Sequence, residues 1–392
     1  MELRYRLAED TIGEDDLRAL CNWLTDGPWL TQGPLVRSFE ERWAKWLGLR
    51  HAVFVNSGSS ANFLAYHSLL LSGRMTNKKV VVPAIGWPTT ITPAIQLGLE
   101  PILCDGDVLT FGLDPLFLER LCEEHRPAAV AVTHVLGVPA NMDKIMALKR
   151  RYGFLLIEDA CAAHGSRYGG RLVGAFGDMA TFSFYFGHHA STIEGGMVVT
   201  DDEELHELSI MGREHGWAKS LPRAREAFLA GKYGVDEFNR PFAFYVPGFN
   251  LRSSDLNAFI GLRQLGKLDR VIERRLANDA LYRERFRDAD HFRCQYPSGD
   301  TTVSSISFAA LAASREHRLK VGNVLERAGI ETRSLGGGSM GRQPFWVDRY
   351  GLTPLPVADE IHERAFHLPN HPGLTGDDIG TICDTVLAVL PP

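Results

Sequence analysis

The chain has 392 residues, 45% of them hydrophobic and 23% charged, with a formal charge of −6, so it can bury a substantial core and lacks the basic excess of a nucleic-acid binder. No apolar run approaches the roughly 18 residues of a membrane span, and the N-terminus, MELRYRLAED, is charged from its second residue, which together predict a cytoplasmic address without membrane attachment. The six cysteines, at 21, 104, 122, 161, 294 and 383, form no C-x-x-C or other close pair, so reduced thiols are expected rather than a metal or iron–sulfur centre.

From residue 51 to 200 the β-rich runs HAVFV, KVVVP, EPILCD, AAVAVTHV, FLLIED, ATFSFYF and GMVVT alternate with segments of helical spacing such as SANFLAYHSLLLSG and DKIMALKRRYG. That alternation predicts an α/β fold, a mostly parallel central sheet covered by helices, with ligands at the carboxyl ends of its strands. Beyond residue 251 the strands fade into LNAFIGLRQLGKLDRVIERRLANDALYRERF, which reads as one long helix leading into a smaller C-terminal domain. The expected division is 1–251 for the N-terminal segment and large domain, and 252–392 for the small α/β domain. Within the latter, the Gly-rich stretch SLGGGSMGRQP, 334–344, is expected to form a loop over a site.

Three places carry chemistry. Directly after HAVFV comes NSGSSAN, where Gly58 and Ser59 open a helix; its backbone N–H groups suit a phosphate, although the same turn serves as a plain N-cap. At the end of FLLIED, Glu158 and Asp159 sit at a strand's carboxyl end, suited to a metal, a ribose hydroxyl, a protonated ring nitrogen or the capping of the next helix. Third, ATFSFYFGHHASTIEGGMVVT sets paired histidines and a Glu-Gly-Gly turn between two strands.

Taken together these motifs resemble the sugar aminotransferase family of fold type I pyridoxal phosphate enzymes, which act on nucleotide-linked keto-sugars and carry a pattern like FSF-x-x-x-K-x-x-x-x-x-EGG. Aligning Ser183 and Glu194-Gly195-Gly196 on that pattern puts His188, and not its neighbour His189, at the lysine. No lysine occurs between Lys149 and Lys219, so a slip in register cannot restore one. The likeness extends over nearly the whole chain: TQGPLVRSFEERWAKWLG resembles the family's N-terminal segment, GFNLRSSDLNAFIGLRQL its domain-junction motif and HLPNHPGLT its C-terminal motif.

The resemblance implies an aspartate aminotransferase-like fold with pyridoxal 5'-phosphate or its amine form as cofactor. Gly58, Ser59 and Ser183 would hold the phosphate, Asp159 the pyridine nitrogen, and Trp87 would stack on the ring. Asn250 would reach the phosphate of a second subunit, which implies a homodimer with sites at its interface, while Arg252 beside it reads as a surface charge. Two departures argue against ordinary amino transfer: Ala162 stands where many members have a glutamine or histidine, and His188 replaces the lysine.

A lysine both anchors the aldehyde and shuttles protons, and a histidine can do only the second. The implied activity is therefore that of a lysine-free branch, the 3-dehydratases of nucleotide-linked 4-keto-6-deoxy sugars, with L-glutamate as amino donor. FGHHASTIEGGM and TRSLGGGSMGRQPFW favour the GDP-4-keto-6-deoxymannose substrate within it, and CDP- and dTDP-sugars are the alternatives. A related set of 3-dehydratases uses a two-iron, two-sulfur cluster, against which the scattered cysteines speak. His215, in an R-x-HG segment, is expected at the sugar and Arg333 at the glutamate carboxylate. From another class, a lysine-free member could be a catalytically silent cofactor-binding regulator, a role that would not need Asp159, Ser183 and a proton-carrying histidine.

Overall fold

A computed structural model describes residues 3–392. The apolar runs fall where the alternation places them. β1 (His51–Val55), β2 (Lys79–Pro83), β3 (Glu100–Cys104), β4 (Ala129–Thr133), β5 (Leu155–Asp159), β6 (Met179–Ser183) and β7 (Gly196–Thr200) form one sheet in the order β1-β7-β6-β5-β4-β2-β3. Only β7 runs against its neighbours, β1 and β6, and the remaining pairings are parallel. β4, β6 and β7 are buried along their whole length, as strands covered on both faces must be.

The two-residue period of β1 shows how the layers form. Val53 and Val55 pack with Leu64 and Ala65 of the Gly58–Leu71 helix, whereas Ala52 and Phe54 pack with Phe39 and Trp43 of the Pro34–Leu47 helix on the other face. The Pro34–Leu47 helix begins on a proline and ends on Gly48 in the left-handed region (φ 79°), both usual at those positions.

The long helix expected after residue 251 is two helices, Asp255–Leu265 and Leu268–Arg285. The first is tied to the large unit: the Asp255 carboxylate accepts from the Gly33 (2.8 Å) and Val36 (2.9 Å) amides and so caps the Pro34–Leu47 helix. The second must turn away at Gly266–Lys267, where Lys267 bonds the Asp15 and Asp16 carboxylates. Its start packs in the large core through Leu268 and Ile272, and its end enters the small core through Tyr282. That small core also holds Tyr5 and lies against a second, antiparallel sheet of β8 (Phe292–Cys294), β9 (Ser307–Ala312) and β10 (Ala365–Pro369), in that order. No helix among the described residues is long and apolar enough to cross a membrane.

Candidate active site

The expected strand ATFSFYF ends at Ser183, and AAVAVTHV ends at Thr133, because the chain turns there to wall a cavity of about 460 Å³ at the carboxyl ends of the central strands. Gly58, Ser59, Trp87, Asp159, Ser183, His188 and Arg333 all line it, as does Ala162.

Asp159 and Glu158 are adjacent on β5, so they face opposite sides of the sheet. Asp159 faces the cavity. Its Oδ2 accepts from Asn62 Nδ2 (3.0 Å) and Thr90 Oγ1 (2.5 Å), and its Oδ1 from the Cys161 amide (3.1 Å). Asn62 is held in turn by Thr181 Oγ1 (2.6 Å). A carboxylate so clamped is held in one orientation. Glu158 is instead wholly buried, accepting from the amides of Gly174 (2.9 Å), Phe176 and Gly177 (both 2.6 Å) and meeting His134 Nε2 (3.1 Å). It secures the fold behind the site.

The Gly58–Leu71 helix starts at the cavity wall, with Ser57 as N-cap, its Oγ accepting from the Ser60 amide (3.0 Å). A Cβ on Gly58 would lie 2.6 Å from Ser183 Cβ, so only glycine lets the helix start approach that serine. Ser59 Oγ donates to Thr89 Oγ1 (3.2 Å), and the buried Thr133 hydroxyl has no partner. Amides at a helix start, two serine hydroxyls beside them, a clamped carboxylate across the cavity and the indole of Trp87, 61% exposed, fit a flat aromatic group with a phosphate tail. These residues fit pyridoxal phosphate.

His188 and His189 part company here. His188 reaches the cavity with a buried Nδ1 that has no partner, and burial first, then the Arg275 charge, push its imidazole down to about 4 against the pull of Asp159. It is therefore neutral and able to accept a proton at ordinary pH. His189 turns away: its Nε2 meets the Ser304 carbonyl (3.0 Å) and hydroxyl (2.9 Å), and its ring stacks on His164 with centroids 5.1 Å apart. Among the described residues no lysine lines the cavity.

Arg333 stands at the cavity wall bonded to Glu331 Oε1 (2.6 Å), while the other Glu331 oxygen accepts from the Leu7 amide (2.9 Å), so the N-terminal segment closes one side. Beside it, burial drives His367 down to about 4, and its Nδ1 is unpartnered. The Gly-rich stretch does cover the site: Met340 N donates to the Ala84 carbonyl (2.8 Å), and Gly336 lies against the Gly86 carbonyl next to Trp87.

Asn250 and His215 do not join this cavity. They sit together on the surface, joined by a backbone bridge between Glu214 and Asn250, with Arg252 bonding Asn250 Oδ1 (3.0 Å) and approaching His215 Nε2 (3.4 Å). Sequence reasoning misses Asn62, Thr90, Thr133, Arg275 and His367. Asn62 has a signal, since it lies four residues after Gly58 and therefore on the same helix face. Among the described residues, one group of metal-ligand type comes together, His51, Glu203 and His206, at the start of β1 and remote from the cavity.

Sheet order, the single reversed strand and the clamped aspartate below a helix start define a protein of the fold type I, aspartate aminotransferase-like class. More narrowly, the chain belongs to the DegT/DnrJ/EryC1/StrS aminotransferase family, which matches residues 11–387. It is 33% identical over 375 residues to the GDP-4-keto-6-deoxy-D-mannose 3-dehydratase of Escherichia coli O55:H7, covering 94% of this chain and 96% of the relative. It is likewise 33% identical to the dTDP-4-dehydro-2,6-dideoxy-D-glucose 3-dehydratase of Saccharopolyspora spinosa, covering 91% of this chain and 80% of that one. A solved GDP-4-keto-6-deoxymannose-3-dehydratase with a trapped PLP-glutamate geminal diamine superposes with a TM-score of 0.89 at 29% identity, over 98% of this chain and 100% of the other.

Proposed function

We propose that this chain is a pyridoxal phosphate-dependent 3-dehydratase of a nucleotide-linked 4-keto-6-deoxyhexose, with GDP-4-keto-6-deoxy-D-mannose as substrate and L-glutamate as amino donor. The products are the 4-keto-3,6-dideoxy sugar, 2-oxoglutarate and ammonia. The observation that carries the reading is His188: a neutral, unpartnered imidazole at the cavity wall, in a site without lysine. The relative trapped with PLP and glutamate supports glutamate as the donor.

When bound, the cofactor supplies an electron-accepting ring and, in its amine form, a primary amine that condenses with the sugar ketone. The chain's residues do the rest. Gly58, Ser59 and Ser183 would hold the phosphate, and Asp159 would pair with the pyridine nitrogen, its carboxylate oriented for that contact by three donors. Trp87 covers one ring face. His188 accepts a proton on its free ring nitrogen and returns one to the departing C3 hydroxyl. Arg333 binds the donor's carboxylate once it releases Glu331.

The chain acts as a homodimer in this reading, Asn250 completing the phosphate site of a second copy and His215 meeting its sugar. The grouping of exposed Asn250 with half-buried His215 and Arg252 outside their own cavity supports that arrangement. A dTDP-sugar is the second reading, because the Saccharopolyspora relative matches at the same 33% identity as the GDP-sugar one. Competition between the two nucleotide-sugars for turnover decides between them.

The test is to incubate the protein with pyridoxal phosphate, glutamate and GDP-4-keto-6-deoxymannose and to follow 2-oxoglutarate, ammonia and the sugar. A deoxygenated sugar is expected, and an aminated one overturns the reading. His188→Asn should keep the cofactor and lose about 10²- to 10⁴-fold in turnover.

A further inference from the structure

Arg275 stands midway along the Leu268–Arg285 helix, where that helix passes from the large core to the small one, and its side chain is buried to 1% exposure. A guanidinium taken from water ordinarily meets a carboxylate. This one meets carbonyl oxygens: Asn370 at 2.7 Å, Ile306 at 3.1 Å, and Ser305 and Gly187 at 3.4 Å each. Its Nε has no partner. Asp279, one turn on along the helix, is bound by Arg283 (2.5 Å) instead. Burial with no anion to oppose it pushes Arg275 down to about 9, which still leaves a cation at neutral pH.

The position of this uncompensated charge is informative. Gly187, whose carbonyl it binds, directly precedes His188, and the other carbonyls belong to the segments that lead into β9 and out of β10. Four groups bear on the His188 ring. Asp159 at the end of β5 is the anion, Arg275 the cation, and His164 (centroids 6.2 Å away) and His189 are imidazoles held neutral by burial.

We propose that Arg275 is a positioning residue for the reaction, its buried charge and its bond to the Gly187 carbonyl holding the His188 ring in the cavity as a neutral proton acceptor. The inference rests on the reading of His188 given above. A proton taken up beside a fixed cation is held weakly, so the ring passes it on readily, which suits a group that must be base first and acid afterwards. A conventional ion pair at the same place would cancel the field that does this.

Nitrogen-15 histidine NMR of the protein without cofactor reads the effect directly, with the His188 signal assigned by its loss in His188→Asn. Arg275→Met should raise the pH at which His188 titrates by about one unit or more, and the acid limb of kcat should move with it when the enzyme is loaded. Arg275→Lys, which keeps a cation, should leave His188 titrating close to the wild-type pH. If His188 titrates at the same pH in wild type and Arg275→Met, the proposal is overturned. Should Arg275→Met fail to fold by circular dichroism, Arg275→Gln, which keeps N–H donors without the charge, takes its place, and an unmoved His188 titration there overturns the proposal equally. A shifted His188 in an enzyme whose His188→Asn variant remains fully active would leave the electrostatic assignment standing and sink the proposed role of His188.

Discussion

Gly58→Ala perturbs the proposed phosphate end of the site by a single methyl group. That carbon would lie 2.6 Å from Ser183 Cβ and 2.9 Å from its Oγ, with Cys161 Sγ at 3.3 Å. Carbon atoms rest roughly 3.5–4.0 Å apart, so the helix start and the serine must separate by about 1 Å. Overpacking on that scale costs about 1–3 kcal/mol, part of which is offset by the ~0.5–1 kcal/mol that alanine gains over glycine in a helix. The fold should therefore survive. The phosphate cradle should not, because a separation of about 1 Å stretches hydrogen bonds beyond useful length, and a loss of about 1.4 kcal/mol already weakens binding tenfold. Fluorescence titration of pyridoxal phosphate into the protein should show affinity reduced about tenfold or more. Gly231→Ala, placed in the Arg223–Tyr233 helix with nothing within 4 Å, is the matched control and should bind as the wild type does. Wild-type affinity in Gly58→Ala would refute the assignment of this turn to the phosphate.

The adjacent carboxylates of β5 should separate cleanly. Asp159→Asn is expected to lower turnover on the order of 10²- to 10³-fold with little change in melting temperature, whereas Glu158→Gln, which weakens acceptance from three buried amides, should destabilise the protein by about 2 kcal/mol or more; the reverse pattern in paired melting and rate measurements would contradict the two roles. His189→Ala should likewise act on stability, losing about 2 kcal/mol with the Ser304 contacts, and a collapse of turnover in folded His189→Ala would restore it as the rival of His188. The pH dependence of stability has a definite sign. His188 and His367 are pushed to about 4 and His206 to about 3, from an ordinary value of 6.5. The unfolded chain thus takes up these protons first, so their stabilisation is complete above pH 6.5 and is lost progressively as pH falls from there toward 4. A urea midpoint unchanged between about pH 7.5 and pH 4.5 would show that these rings are not held neutral.

Much of the frame is legible in the sequence because its signals are local. Each of the seven central strands is built on a short apolar run, and the cavity residues Gly58, Asp159, Ser183 and His188 sit at or just beyond the ends of such runs. Spacing alone selects His188 over His189, and of the two it is His188 that lines the cavity, His189 packing on His164 and Ser304. What escapes depends on contacts distant in sequence. Thr90 bonds Asp159 across 69 positions and Arg275 reaches Gly187 across 88, and neither residue type carries a mark of its partner. The break after Leu265 is hidden for the same reason, since apolar periodicity runs through Gly266 while the turn there is held by acids near the N-terminus, Asp15 and Asp16.

The loop over the cavity carries three consecutive glycines, Gly336, Gly337 and Gly338, with φ of 54°, 121° and 73°. A Cβ at Gly338 would run into the His362 ring, and one at Gly336 would press on the Gly86 carbonyl, so the segment cannot diversify by ordinary point substitution. At these three positions it offers peptide groups and no side chains, and Gly336 lines the cavity. Side-chain variation along this loop must then fall at its borders, at Arg333 on one side, which lines the cavity, or at Gln343 on the other, which holds the Gly337 carbonyl, so those two positions are the places to randomise when altering what the loop offers the cavity.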